Sequence, residues 1–262
     1  MCFKIVKNIR LKAKGLLLVG GFLIIVNITG FFCYKTINKD NINLIDEQPR
    51  TVSEKNFWNQ AYKEDSETVR EYVERLTELV SDRMLAIDSK YTKPTIYENW
   101  ILWAFAQYLG FYEWIDTKKA VRMGGGFCSQ MAIVFNNILR EQGIKSRILA
   151  LNGHVLNEVL IERRWQVYDP EFNVVFNASL DDLEKDPDRV YQAYKNAGRP
   201  NVEAKHWEEI FATDADNKHF ENTRDYKKIK SILLEKTSFY LIWLLPIAMI
   251  FFGILIMKQL KK

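Results

Sequence analysis

Cysteine and histidine are scarce in this chain, with 3 of each among 262 residues. Cys2 belongs to a basic leading segment, Cys33 to the end of an apolar run and Cys128 alone to the long central part, so no disulfide framework can be drawn. His206 and His219 share no ligand spacing with each other or with Cys128, which argues against a bound metal, and no motif asks for a cofactor. The central part also lacks the concentrated basic face that a nucleic-acid partner requires. There is no internal repeat and no long tract of biased composition. Disorder is excluded for most of the chain by an apolar content of 48% with 13% aromatic, ample for a core.

Charge is missing altogether from two long stretches, Gly15 to Tyr34 and Phe239 to Met257. Each has the length of roughly 20 residues that carries a helix across a bilayer core. Lys4, Lys7, Arg10, Lys12 and Lys14 precede the first, a pattern that also suits a signal peptide. The apolar run is longer than a usual signal core, however, and its end, Ile28 to Tyr34, is bulky where a cleavage site is small. We therefore expect a cytoplasmic basic N-terminus over 1–14 and transmembrane helices over 15–34 and 239–257. Between them come a tether and helical segment over 35–94, a catalytic domain over 95–200 and a linker over 201–238, and 258–262 is a cytoplasmic tail. Only Lys35 and Lys39 follow the first span, which places both termini in the cytoplasm and the part between the spans outside. Setting aside the five basic residues before the first span and the three lysines at the end leaves 29 basic against 33 acidic residues, so the outer part is acidic by about 4 charges.

In the outer part, Val69, Tyr72, Val73, Leu76, Leu79 and Val80 recur at three and four residues, so Ser53 to Ile87 has helical character. Pro94 marks a break, and Tyr97 to Leu109 is a second helical stretch ending at Gly110. Met123-Gly124-Gly125-Gly126-Phe127 predicts a loop, because three glycines carry large backbone freedom. Cys128 opens a helix to Gln142 with Met131, Val134, Phe135, Ile138 and Leu139 on one face. Beyond Gly143 the period changes to two. Lys145 to Leu151, His154 to Ile161 and Trp165 to Asp169 are predicted strands, with Val174 to Phe176 a further short one and helices from Ser179 and from Asp186-Pro187 to Gly198. The fold class is α+β, a cysteine-bearing helix packed on an antiparallel sheet with flanking helices and two transmembrane helices.

A thiol must lose its proton to become a good nucleophile, and a helix N-terminus favours the charged form through its dipole and free N–H groups. Cys128 has that position, and the glycines before it leave room for a substrate carbonyl whose oxyanion those N–H groups could receive. His154 begins a strand, and Asp169 ends the next one. An antiparallel pair joined at Glu162 to Arg164 would bring the two side by side, as a base and its orienting carboxylate require. The catalytic candidates are thus Cys128, His154 and Asp169.

Gly-Gly-Gly-Phe-Cys-Ser-Gln-Met-Ala, then Ile-Leu-Arg-Glu-Gln-Gly-Ile-Lys-Ser-Arg, Gly-His-Val-Leu-Asn-Glu-Val and Trp-Gln-Val-Tyr-Asp-Pro, in that order, resemble the core of the transglutaminase-like superfamily, with its papain-like thiol fold. The resemblance covers residues 95 to 177. It implies Cys128 as nucleophile, His154 as base and Asp169 as orienting acid. It also implies a further oxyanion donor upstream, for which Trp100, Trp103 and Gln107 are candidates. It points to an extracytoplasmic, membrane-tethered thiol enzyme that cleaves or transfers an amide or peptide bond of a protein or peptide substrate through a thioester. The alternative it implies is a catalytically silent module that binds a partner in envelope or exopolysaccharide assembly.

Overall fold

A computed structural model describes residues 2–33, 51–86, 92–212 and 217–260. Residues 35–52, the part of the 35–94 segment expected to be a tether, lie outside the described residues except for Thr51 and Val52. The chain forms two compact units. The first gathers Met1–Asn38, Lys93–Tyr112 and Lys230–Lys262, and the second Lys39–Thr92 and Glu113–Ile229.

In the first unit, α1 (Cys2–Cys33) and α11 (Ile229–Gln259) are both long and apolar enough to cross a membrane. They touch through small residues. A Cβ on Gly20 would lie 2.9 Å from the Pro246 carbonyl oxygen, and one on Gly253 would lie 2.8 Å from Leu17 Cγ. Residue numbers rise along α1 as they fall along α11, so the helices run antiparallel at a close approach that only small side chains permit. The Asn27 amide donates to the Ile242 carbonyl at 2.5 Å. Large apolar side chains elsewhere on both helices, such as Leu18, Phe22, Ile25, Phe251 and Phe252, are exposed, as a lipid-facing surface requires. The third helix of this unit, α4 (Ile96–Leu109), starts at the Thr95 cap and stops at Gly110, which is left-handed at φ 80°.

The second unit begins with α2 (Glu54–Gln60) and α3 (Val69–Arg83), two helices where the periodicity alone suggested one. Ser53 caps the first and a Thr68–Glu71 capping box opens the second, so the polar residues between them end one helix and begin the next. Arg75 on α3 pins this join. It bonds the Gln60 carbonyl, reaches the Tyr62 carbonyl at 3.1 Å, and grips Glu67 with two hydrogen bonds of 2.6 and 2.8 Å. That grip holds the Glu67 carboxyl down at about 2. A depressed carboxylate adds stability that is present above its unfolded value and lost as pH falls toward the folded one. Glu67→Gln is therefore expected to lower unfolding stability by about 1–2 kcal/mol at pH 7. Chemical denaturation should find that difference shrinking between pH 4.5 and 2, and a pH-independent difference would mean the charge is not what matters.

β1 (Leu85–Ala86) pairs in parallel with β2 (Gly125–Gly126). The glycine run is thus only partly the loop that its composition suggests. Gly124 is the left-handed stop of α5 (Thr117–Met123), and Gly126 sits at φ 151° where a Cβ would meet Gln130 Cβ at 2.7 Å. The glycines let the chain pass tightly under α6 (Cys128–Glu141).

The main sheet contains β3 (Ser146–Ala150), β4 (Val155–Ile161), β5 (Arg164–Asp169), β6 (Val174–Val175) and β7 (Lys218–Phe220). It is antiparallel, in the order β6-β5-β4-β3-β7. Glu162 and Arg163, both at positive φ, close the β4–β5 hairpin as a two-residue turn whose twist matches the strands. Alternation along the strands buries both faces. On one, Ala132 and Ile133 of α6 pack on Ile148, while Asn157 donates to the Ala132 carbonyl at 3.1 Å. On the other, Leu149, Leu156, Val167 and Val174 meet α7 (Leu180–Lys185), α8 (Pro187–Asn196) and α9 (Asn201–Phe211) through Leu183, Tyr194, Ile210 and Phe211. The last helix before α11 is α10 (Thr223–Lys227). The architecture is α+β, a helix bearing Cys128 laid on an antiparallel sheet with flanking helices.

Candidate active site

Cys128 is the first residue of α6, partly accessible, with Phe127 as the cap. Two neighbours of the thiol are committed elsewhere. The Gln130 amide accepts from the Trp114 backbone N–H at 2.6 Å and donates to its carbonyl at 2.9 Å. The Ser129 hydroxyl donates to Glu113, which also receives Lys227. Gln130 therefore fastens the loop before α5 to the helix carrying the thiol.

His154 lies one residue before β4, and the β4–β5 register, with Glu158 opposite Val167, carries it to the end of β5 where Asp169 stands. His154 Nε2 is 2.7 Å from Asp169 Oδ2, and both side chains are almost wholly buried. The same Oδ2 accepts from the Tyr194 hydroxyl at 2.6 Å, and Oδ1 accepts from the Glu171 N–H at 2.9 Å. Every oxygen of Asp169 is thus committed, and the carboxylate cannot turn away from the ring. An ionised Asp169 accepts only, so Nε2 carries a proton and Nδ1 is left to face Cys128.

The electrostatics follow from this enclosure. Burial by itself would lift the Asp169 carboxyl, but the charge and hydrogen bond of His154, then Tyr194 and the Glu171 N–H, hold it below its usual range. Burial would likewise lower His154, and the charge and hydrogen bond of Asp169, reinforced by Cys128, outweigh it and raise the imidazole well above its ordinary value. The arrangement favours a protonated ring between a carboxylate and a sulfur.

Residues 60–170 match a family model described as Transglutaminase-like superfamily. This segment is a transglutaminase-like domain. No curated protein and no solved structure matches the chain. The transglutaminase-like domain, a papain-like thiol fold, contains Cys128, His154 and Asp169. The match ends at Pro170, and the packing around the site continues beyond it. Trp207 on α9 lies over His154 with ring centroids 4.4 Å apart, and Phe172 flanks the imidazole at 5.8 Å. Glu171, mostly buried, approaches His154 Nδ1 with Oε2 at 3.7 Å. Burial and then the charge of Asp169 raise its carboxyl to about 7.

Sequence reasoning gave no role to Glu171, Tyr194 or Trp207. The last two belong to helices, and the one available signal was the Trp207, Ile210, Phe211 spacing at three and four residues. Trp100, Trp103 and Gln107, the candidates for a further oxyanion donor, stand on α4 in the first compact unit.

Proposed function

We propose that the protein is a membrane-tethered thiol enzyme that cleaves or transfers an amide or peptide bond of a protein or peptide. Cys128 Sγ first passes its proton to His154 Nδ1, and the resulting thiolate, beside the protonated ring, attacks the carbonyl carbon. The ring then protonates the leaving amine as the C–N bond breaks, leaving a thioester on Cys128. Water or a second amine attacks that thioester, and the thiol re-forms. Asp169 holds the ring and balances its charge. The observation that carries this reading is the 2.7 Å bond between His154 Nε2 and Asp169, which directs the other ring nitrogen at the thiol. The first turn of α6 is the natural donor set for the oxyanion.

A nitrophenyl ester tests the half-reaction without knowledge of the substrate. With Cys2 and Cys33 replaced by Ser, the full chain in detergent is expected to release a burst of nitrophenolate close to one per chain. Mass spectrometry should place the acyl group on Cys128. His154→Ala should slow both this acylation and alkylation by iodoacetamide. Absence of an acyl-enzyme, together with alkylation indifferent to His154, would favour a silent module that binds a partner in envelope or exopolysaccharide assembly.

The two apolar helices and the basic residues ahead of the first support a two-pass protein of the cell membrane, with both termini cytoplasmic and the domain outside. A reporter that works only outside the cytoplasm should be active when inserted at Asn217. Activity of a cytoplasmic reporter there would reverse the orientation.

A further inference from the structure

Neither the histidine spacing nor the cysteine count suggests a metal site, yet the fold collects three different ligand types at one point. One donor atom each from Cys128, His154 and Glu171 lie within 4.8 Å of one another, and among the described residues this is the one such group of three. Tetrahedral zinc, with bonds of about 2.0 Å to nitrogen and oxygen and about 2.3 Å to sulfur, needs its donors roughly 3–4 Å apart. His154 Nδ1 and Glu171 Oε2, at 3.7 Å, already stand at that separation.

A second observation concerns the shell behind these donors. The other nitrogen of His154 bonds Asp169 at 2.7 Å, and Asp169 is fixed by Tyr194 and by the backbone N–H of Glu171 itself. A carboxylate behind the imidazole is the arrangement that orients a zinc-bound histidine and strengthens it as a donor. The backbone of Glu171 is tied to that same carboxylate, so two of the three donors share one support. The acyl-transfer steps use Cys128 and His154 and leave the Glu171 side chain without a task.

We propose that Cys128 Sγ, His154 Nδ1 and a Glu171 carboxylate oxygen bind one Zn2+, with a fourth position open to water, and that occupancy reversibly silences the thiol. On binding, the proton shared by Cys128 Sγ and His154 Nδ1 leaves to solvent, a lone pair on each forms the S–Zn and N–Zn bonds, and Glu171 binds as its carboxylate, with no change of oxidation state. A thiolate with an imidazole and one carboxylate suits zinc and not magnesium or calcium, which need oxygen ligands. Binding rests on the three donors alone, whereas silencing rests on the proposed role of Cys128.

The test uses the full chain in detergent, with Cys2 and Cys33 replaced by Ser and metal removed by a chelator. Titration with ZnCl2 against a chromophoric chelator is expected to give one Zn2+ per chain. Cys128→Ala should abolish it, and Glu171→Gln should weaken it by at least about tenfold. Saturating Zn2+ should slow iodoacetamide labelling of Cys128 at least about tenfold, with recovery on adding chelator. Co2+ in place of Zn2+ reads the unsubstituted site, where a thiolate-to-metal absorption in the near ultraviolet is expected. No stoichiometric Zn2+, a Co2+ spectrum without that absorption, or affinity unchanged in Cys128→Ala would overturn the site. Unchanged affinity in Glu171→Gln would overturn the three-donor assignment. Zn2+ binding without an acyl-enzyme would sink the enzymatic reading and leave the site standing, and an acyl-enzyme without Zn2+ binding would do the reverse.

Discussion

Exchanging Asp169 for Asn is expected to slow acylation of Cys128 by on the order of 10²–10⁴-fold. The substitution changes almost no volume, but it puts an N–H2 group among donors. Asp169 Oδ2 now accepts from both His154 Nε2 and the Tyr194 hydroxyl. An amide oxygen that keeps both of them turns its NH2 against the Glu171 N–H, a donor facing a donor. If its oxygen instead keeps the Glu171 N–H, its NH2 faces Nε2 and drives the ring proton to Nδ1, the nitrogen proposed to receive the proton of Cys128. The rate of nitrophenolate release in wild type and variant measures the effect, and a loss below tenfold would mean that Asp169 does not set the tautomer. Stability against pH supplies an independent reading. Asp169, held below its ordinary range, contributes stability that disappears as pH falls through its folded value, whereas His154, held above its own, contributes stability that disappears as pH rises through its folded value. Both slopes should flatten in Asp169→Asn.

Phe211→Ala is expected to cost about 3–5 kcal/mol of unfolding stability, because it empties a fully enclosed aromatic site. Phe211 meets Phe176 at 5.2 Å between ring centroids and shares a cluster with Leu149, Leu156 and Val167 of the sheet. Its segment looks like a linker toward the second apolar helix when the sequence is read alone. A true linker residue would give a change near zero, so denaturation of the variant decides between the two. A loss under about 1 kcal/mol would remove α9 from the core. Trp207 lies on the same helix over His154, so the variant should also slow acylation, by loosening the roof of the imidazole.

The elements legible in the sequence were those whose pattern is dictated locally. The apolar face of α6 repeats at the helical period, the strands from β3 to β5 alternate, and Gly110 and Gly143 stop helices at left-handed φ. His154 and Asp169 could be paired on paper because a short hairpin has a single plausible register. The rest depends on distant chain. β7 is three residues, Lys218–Phe220, with no alternation to read, and it is a strand because β3 offers it a partner. Glu171 follows Asp-Pro and has the look of a turn residue, and only packing makes it a mostly buried neighbour of the imidazole. Tyr194 reaches Asp169 across 25 positions of sequence, a separation over which no local rule operates. The α9 helix did carry a signal in its apolar spacing, but Gly198, which ends the helix before it, made the end of one element look like the end of the domain.

The strand order has a consequence for how copies of the protein meet. Its longest strands, β4 with 7 residues and β5 with 6, lie inside the sheet, while the edges are β6 with 2 and β7 with 3. Backbone groups able to template another chain are therefore few, and β7 shields most of β3 behind an exposed lysine and histidine. Two apolar helices would confine this domain to a plane, where neighbours collide far more often than in free solution. Edges this short, one of them charged, give such crowding little to turn into strand exchange and insoluble stacks.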